Sequence, residues 1–92
     1  MPDRPNILVI MSDEHAPQYS GLHGHPQVQS PNMERLADMG VTFDNAYCNS
    51  PICGPSRMSF MTGRYINRIG AYDNGFPLSS PTVTWAHSLR QA

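Results

Sequence analysis

The apolar positions of this chain change period from segment to segment. Asn6-Ile7-Leu8-Val9-Ile10-Met11 is a continuous apolar run rich in β-branched residues. Such a run predicts a strand buried on both faces, as inside a parallel sheet. Residues 12–29 are polar and rich in Gly and His, which predicts a loop with room for one short helical turn. Ser30 to Gly40 then carries a helix start and stop. Ser30 suits the N-cap, Pro31 the first helical position and Gly40 a left-handed end. Met33, Leu36 and Ala37 recur at i, i+3, i+4 as the apolar face. Val41 to Tyr47 alternates apolar with polar and reads as a second strand. Strand, helix, strand makes a parallel βαβ unit and an α/β class.

Further along, Cys48 to Ile52 reads as a loop, and a short helix is expected to begin near Pro55 and stop before Gly63. Asp73 to Pro81 is loop, punctuated by Gly and Pro. Thr82 to Ala92 reads as a last helix with Trp85 and Leu89 on one face. That helix carries no Gly, Asn or Pro to end it, so residues 1–92 are expected to be a truncated N-terminal part of an α/β domain.

Composition adds mainly exclusions. The chain has 92 residues and a formal charge of −1, with no basic run, which points away from nucleic acid and anionic membranes. No apolar stretch is long enough to span a bilayer. Met1 to Pro5 followed by the short run 7–11 does not make a secretory signal. With two cysteines and no signal, a cytoplasmic, reducing setting is expected. A Cys48–Cys53 disulfide would close a very tight loop, so free thiols are the expectation.

Two clusters carry candidate chemistry. Cys53 stands just before a Pro-initiated helix, where backbone amides and the helix dipole favour negative charge. Arg57 follows four residues later and returns to the same face, where a guanidinium can pair with a sulfate or phosphate oxygen. Ser12-Asp13-Glu14-His15 follows the first predicted strand, where open α/β sheets place their sites. Two carboxylates there suit a hard divalent cation, which would polarise an ester. A solvated acidic loop is the plain alternative for Asp13 and Glu14, and an inert packed thiol for Cys53. His15, His23 and His25 could be read as zinc ligands, but backbone hydrogen bonding and turn capping fit them better, since no closed four-ligand set is present.

The run Cys53-Gly54-Pro55-Ser56-Arg57, followed by Thr62-Gly63-Arg64, resembles the sulfatase signature Cys-x-Pro-Ser-Arg … Thr-Gly. Gly24-His25-Pro26 with Ser30 to Ala37 is similar to the stretch that follows the first acids in that family. Phe43 to Tyr47 and Tyr72-Asp73-Asn74 resemble its choline-sulfatase-like branch. The resemblance implies an alkaline-phosphatase-like fold: a parallel sheet with flanking helices, of which this chain would hold an incomplete part. It implies that Cys53 is oxidised to formylglycine by a formylglycine-generating or anaerobic sulfatase-maturating enzyme, with Arg57 stabilising the aldehyde hydrate. One hydroxyl of that hydrate would attack sulfur of a small sulfate ester, and the other would release sulfate. A divalent metal, Ca²⁺ or Mn²⁺, would be held by Asp13, Glu14 and residue 53. Asp13 matches the family pattern; Glu14 stands where the family usually has Asp or Gln. The remaining metal, sulfate-binding and proton-donating residues of the family lie later in the chain, so residues 1–92 alone are expected to be inactive. Two other readings stay open: a phosphonate monoester or phosphodiester hydrolase using the same nucleophile, and a non-catalytic remnant or binding module.

Overall fold

The computed structural model describes residues 4–92. The reading of Met1 to Pro5 as no signal therefore falls largely outside the described residues. Two short 3₁₀ turns, Pro17–Tyr19 and Gly21–His23, come first. Four α-helices follow: α1 (Pro31–Met39), α2 (Cys53–Thr62), α3 (Ile66–Ile69) and α4 (Trp85–Gln91). The described chain divides between Asp44 and Asn45 into two compact units.

In the first unit α1 begins at Pro31 and packs on the second 3₁₀ turn. Ser30 is its N-cap by position, but its hydroxyl is used outward. It accepts from the Leu22 amide at 3.1 Å and faces Glu34 Oε1 at 3.4 Å. The helix start is thereby tied to the preceding turn instead of to its own free amides. Gly21 suits the place where the two meet, because a Cβ there would lie 3.0 Å from the backbone atoms Ser30 N and Val28 O, tighter than ordinary packing allows. The other end differs from expectation. Gly40 has φ −139° and ψ −145°, not a left-handed conformation, and its amide bonds to Ala37 O at 3.2 Å. A tight i→i−3 bond has closed the helix, so no left-handed residue is needed.

The two strands do not form: among the described residues there is no strand, and the βαβ unit and parallel sheet are absent. The apolar runs themselves are real, but they lie open. Leu8 and Ile10 are 83% and 82% exposed, and Val41 and Phe43 are 78% and 75% exposed. A strand exists only when a neighbour satisfies its amides and carbonyls, and a parallel strand also needs layers on both faces. The described residues supply neither.

In the second unit α2 packs on α3 and α4. Phe60 meets Trp85 edge-on at 6.2 Å, a favoured aromatic geometry. The buried set is small: Ala71 and Pro55, with the polar Ser50, Ser59 and Thr84. Helix α4 starts at Trp85, three residues later than Thr82, because Thr84 is the capping residue. Its amide donates to His87 Nδ1 at 3.1 Å, and its hydroxyl pairs with the same nitrogen at 2.8 Å. Among the described residues no helix is long and apolar enough to cross a membrane.

Candidate active site

The loop into Cys53 is organised by Ser50. Its buried hydroxyl accepts from the Ile52 amide at 3.2 Å, and its carbonyl accepts from the Cys48 thiol at 3.0 Å. Serine makes such local turns readily. Ile52 is extended (φ −93°, ψ 134°) and Cys53 is the first residue of α2, two residues earlier than expected. Pro55 stands third in the helix instead of first. Its missing N–H is still harmless there, since the first-turn amides have no intrahelical acceptor. The first helical bond runs from the Ser56 amide to Ile52 O at 3.0 Å.

Ile52 has no side chain that can cap, and the first turn carries no acid. The cap comes from Asn74, 21 residues beyond Cys53. Asn74 Oδ1 accepts from the Gly54 amide at 2.8 Å. The Cys53 thiol faces the same oxygen at 3.4 Å, and Asn74 Nδ2 donates to Cys53 Sγ at 3.2 Å. The Gly54 amide must meet an acceptor, which sets the orientation of the carboxamide. Asn is among the best N-capping residues, and here it acts from a distant turn. That turn is held by the Gly75 amide on Asp73 Oδ1 at 2.6 Å and the Phe76 amide on Asp73 O at 3.2 Å. Gly54 makes the approach possible: a Cβ on it would lie 2.5 Å from Asn74 Oδ1.

Cys53 and Cys48 are both free and exposed, so no disulfide joins them. Arg57 is exposed one turn along α2 from Cys53. An exposed side chain at a helix start, a capping carboxamide on it and an arginine one turn behind suit a tetrahedral oxyanion.

Asp13 and Glu14 lie in the first unit, exposed in the loop after the run 6–11. Glu14 has φ 49°, a left-handed conformation that costs a non-glycine residue energy and is common at ligand-binding loops. Their hard carboxylate oxygens fit a divalent cation in kind but not in number, since such an ion takes six or so oxygens. Among the described residues no group of three or more His, Cys, Asp or Glu is placed to hold a metal. The histidines are occupied locally. His15 Nε2 donates to Tyr19 O at 3.0 Å. His25 Nδ1 accepts from the amides of Gln27 and Val28 at 3.2 and 3.0 Å. Ser20 donates to Pro17 O at 3.0 Å, so His23 Nδ1 is the donor to Ser20 at 2.9 Å. The hydrogen-bonding reading of these residues holds.

Sequence reasoning assigned no role to Asn74. The Asp-Asn-Gly run signals a turn, but no spacing rule connects that turn to a cysteine 21 residues away.

The cysteine at the helix start, the Asn74 carboxamide on it and the arginine one turn along lie together in the second unit. The chain belongs to the sulfatase family, whose model, described as Sulfatase, matches residues 5–92. It is 37% identical over 89 residues to an N-acetylglucosamine-6-O-sulfatase of Bacteroides thetaiotaomicron, covering 97% of this chain and 16% of that protein. It is 38% identical to a choline-sulfatase of Rhizobium meliloti, covering 97% of this chain and 17% of that protein. An arylsulfatase K of Danio rerio is 36% identical, with 98% of this chain and 17% of that protein covered. The chain thus spans about one-sixth of the length of these curated relatives.

Proposed function

We propose that residues 1–92 are the N-terminal segment of the catalytic domain of a sulfuric ester hydrolase acting on a small sulfate ester. In this reading the run 6–11 and the segment 41–47 enter an alkaline-phosphatase-like parallel sheet completed by the rest of the domain. Their exposed apolar side chains support that placement. The observation that carries the catalytic reading is Cys53 on the first turn of α2, gripped by Asn74 and followed one turn later by Arg57. Both cysteines are free, in keeping with a reducing, cytoplasmic setting.

A formylglycine made from Cys53 by a maturation enzyme supplies a hydrated aldehyde whose hydroxyl is the nucleophile. The residues around it bind, orient and hold charge. Arg57 offers a planar cationic fork to sulfate oxygens. Asn74 presents one acceptor and one donor to residue 53 and keeps that side chain at the helix start. The start of α2 faces negative charge with its dipole. Asp13 and Glu14 would supply oxygens to a divalent cation, Ca²⁺ or Mn²⁺, whose remaining donors would come from the rest of the domain; such an ion would neutralise ester charge.

The test uses the full-length protein with an aryl sulfate and an aryl phosphonate. Cys53→Ala is expected to abolish aryl-sulfate turnover while leaving the thermal transition unchanged, and Cys53→Ser to be inactive in a host lacking a serine-type maturation system. Retained turnover in Cys53→Ala overturns the nucleophile assignment. Faster turnover of the phosphonate than of the sulfate would instead make the protein a phosphonate or phosphodiester hydrolase with the same nucleophile.

A further inference from the structure

Ser59 lies on α2 six residues beyond Cys53 and is only 5% exposed. Its hydroxyl acts in two directions. It accepts a hydrogen bond from Asn49 Nδ2, in the loop that leads into Cys53. It donates to the backbone carbonyl of Arg64, 2.6 Å away, just past the end of the helix. A mid-helix serine usually bonds back to its own preceding turn; Ser59 is committed to the loop on one side and the closing turn on the other.

That closing turn is itself firm. Gly63 is left-handed at φ 65°, and its amide bonds to Ser59 O at 2.9 Å. Thr62 Oγ1 donates to Met58 O at 2.8 Å and receives the Arg64 amide at 3.3 Å. At the other end the N-cap position is the apolar Ile52, and the loop is held by the Ser50 turn, by Asn49 on Ser59 and, at its junction with the helix, by Asn74. The direction in which the chain enters α2, and therefore where residue 53 stands, depends on what holds the loop to the helix.

We propose that Ser59 and Asn49 are positioning residues for the nucleophile: the Asn49–Ser59–Arg64 relay fixes the loop 48–52 against α2 and so sets residue 53 relative to Arg57 and Asn74. This rests on residue 53 being the nucleophile. Neither relay side chain touches the reacting atoms. Their effect is on aim, and a misplacement of the order of 1 Å costs about a hundredfold in rate.

The experiment compares full-length wild type with Ser59→Ala, Ser59→Thr and Asn49→Asp. It measures kcat and KM for an aryl sulfate and, by mass spectrometry, the fraction of chains with residue 53 converted. Asn49 is exposed, so Asn49→Asp removes the amide donor without disturbing a packed position. The expected result is a kcat per converted site that falls roughly tenfold or more in Ser59→Ala and Asn49→Asp, with KM within about twofold. Ser59→Thr, which keeps the hydroxyl, should recover most of it. Wild-type kcat per converted site in Asn49→Asp, or a loss expressed in KM alone, overturns the positioning role. If wild type is converted and turns over while the variants match it, only the relay proposal fails. If wild type neither carries the modification nor hydrolyses the sulfate, the hydrolase reading itself fails, and the positioning role goes with it.

Discussion

Asn74 solves two problems at one point. The start of α2 needs an acceptor for the Gly54 amide, and the side chain of residue 53 needs a fixed direction; a single carboxamide meets both. Removing it should be felt twice. Asn74→Ala is expected to destabilise the full-length protein by about 1 kcal/mol, the usual cost of a lost N-cap. It should also lower kcat/KM about tenfold if a hydrogen bond of similar worth is lost in the transition state. Gly54→Ala offers an independent route to the same loss. Alanine favours a helix over glycine, but its Cβ would lie 2.5 Å from Asn74 Oδ1, so the carboxamide must leave. The double variant should then be little worse than either single one, and additive losses in kinetics would show that the two residues act separately. At this scale residue type and spacing put Cys53 and Arg57 one helical turn apart, as they stand on α2, and singled out Asp13 and Glu14 as candidates. Asn74, Asn49 and Ser59 were not, because each acts through a contact made only when distant segments meet.

Helices were easier to read than strands for a physical reason. A helix satisfies its own backbone, so Pro31 and Met39 bound α1 where the Ser30 and Gly40 signals put its ends. The ends of α1 differ only in how they are closed, Ser30 bonding outward and Gly40 not being left-handed, whereas α2 starts two residues before Pro55 and α4 starts after its cap at Thr84. A strand is defined by its neighbour, and the runs 6–11 and 41–47 find none among the described residues. His87 shows how much a cap can hide. Nothing in its spacing marks it as part of a cap; in the structure its Nδ1 takes the Thr84 amide. His87→Ala is expected to cost about 1 kcal/mol, as a thermal-denaturation comparison in the full-length protein would reveal. An unchanged transition would mean that Thr84 finds another acceptor.

For the whole molecule, the balance between buried and exposed apolar surface decides the expectation. The buried hydrophobic set contains Ala71, while Leu8, Ile10, Val41, Phe43 and Tyr47 are open to water. A core this small cannot offset the conformational entropy of ordering the chain. Calorimetry of the isolated residues 1–92 should therefore show a broad, weakly cooperative transition; a sharp one would contradict the view that the segment is completed by the rest of a catalytic domain. The same isolated chain, supplied with a divalent cation, is expected to leave an aryl sulfate unhydrolysed. The most direct test of the central claim is the mass of the tryptic peptide 36–57 from active full-length protein. The account predicts that residue 53 has lost its sulfur and carries an aldehyde, in proportion to the turnover measured. An active enzyme whose peptide retains an unmodified Cys53 thiol would contradict it.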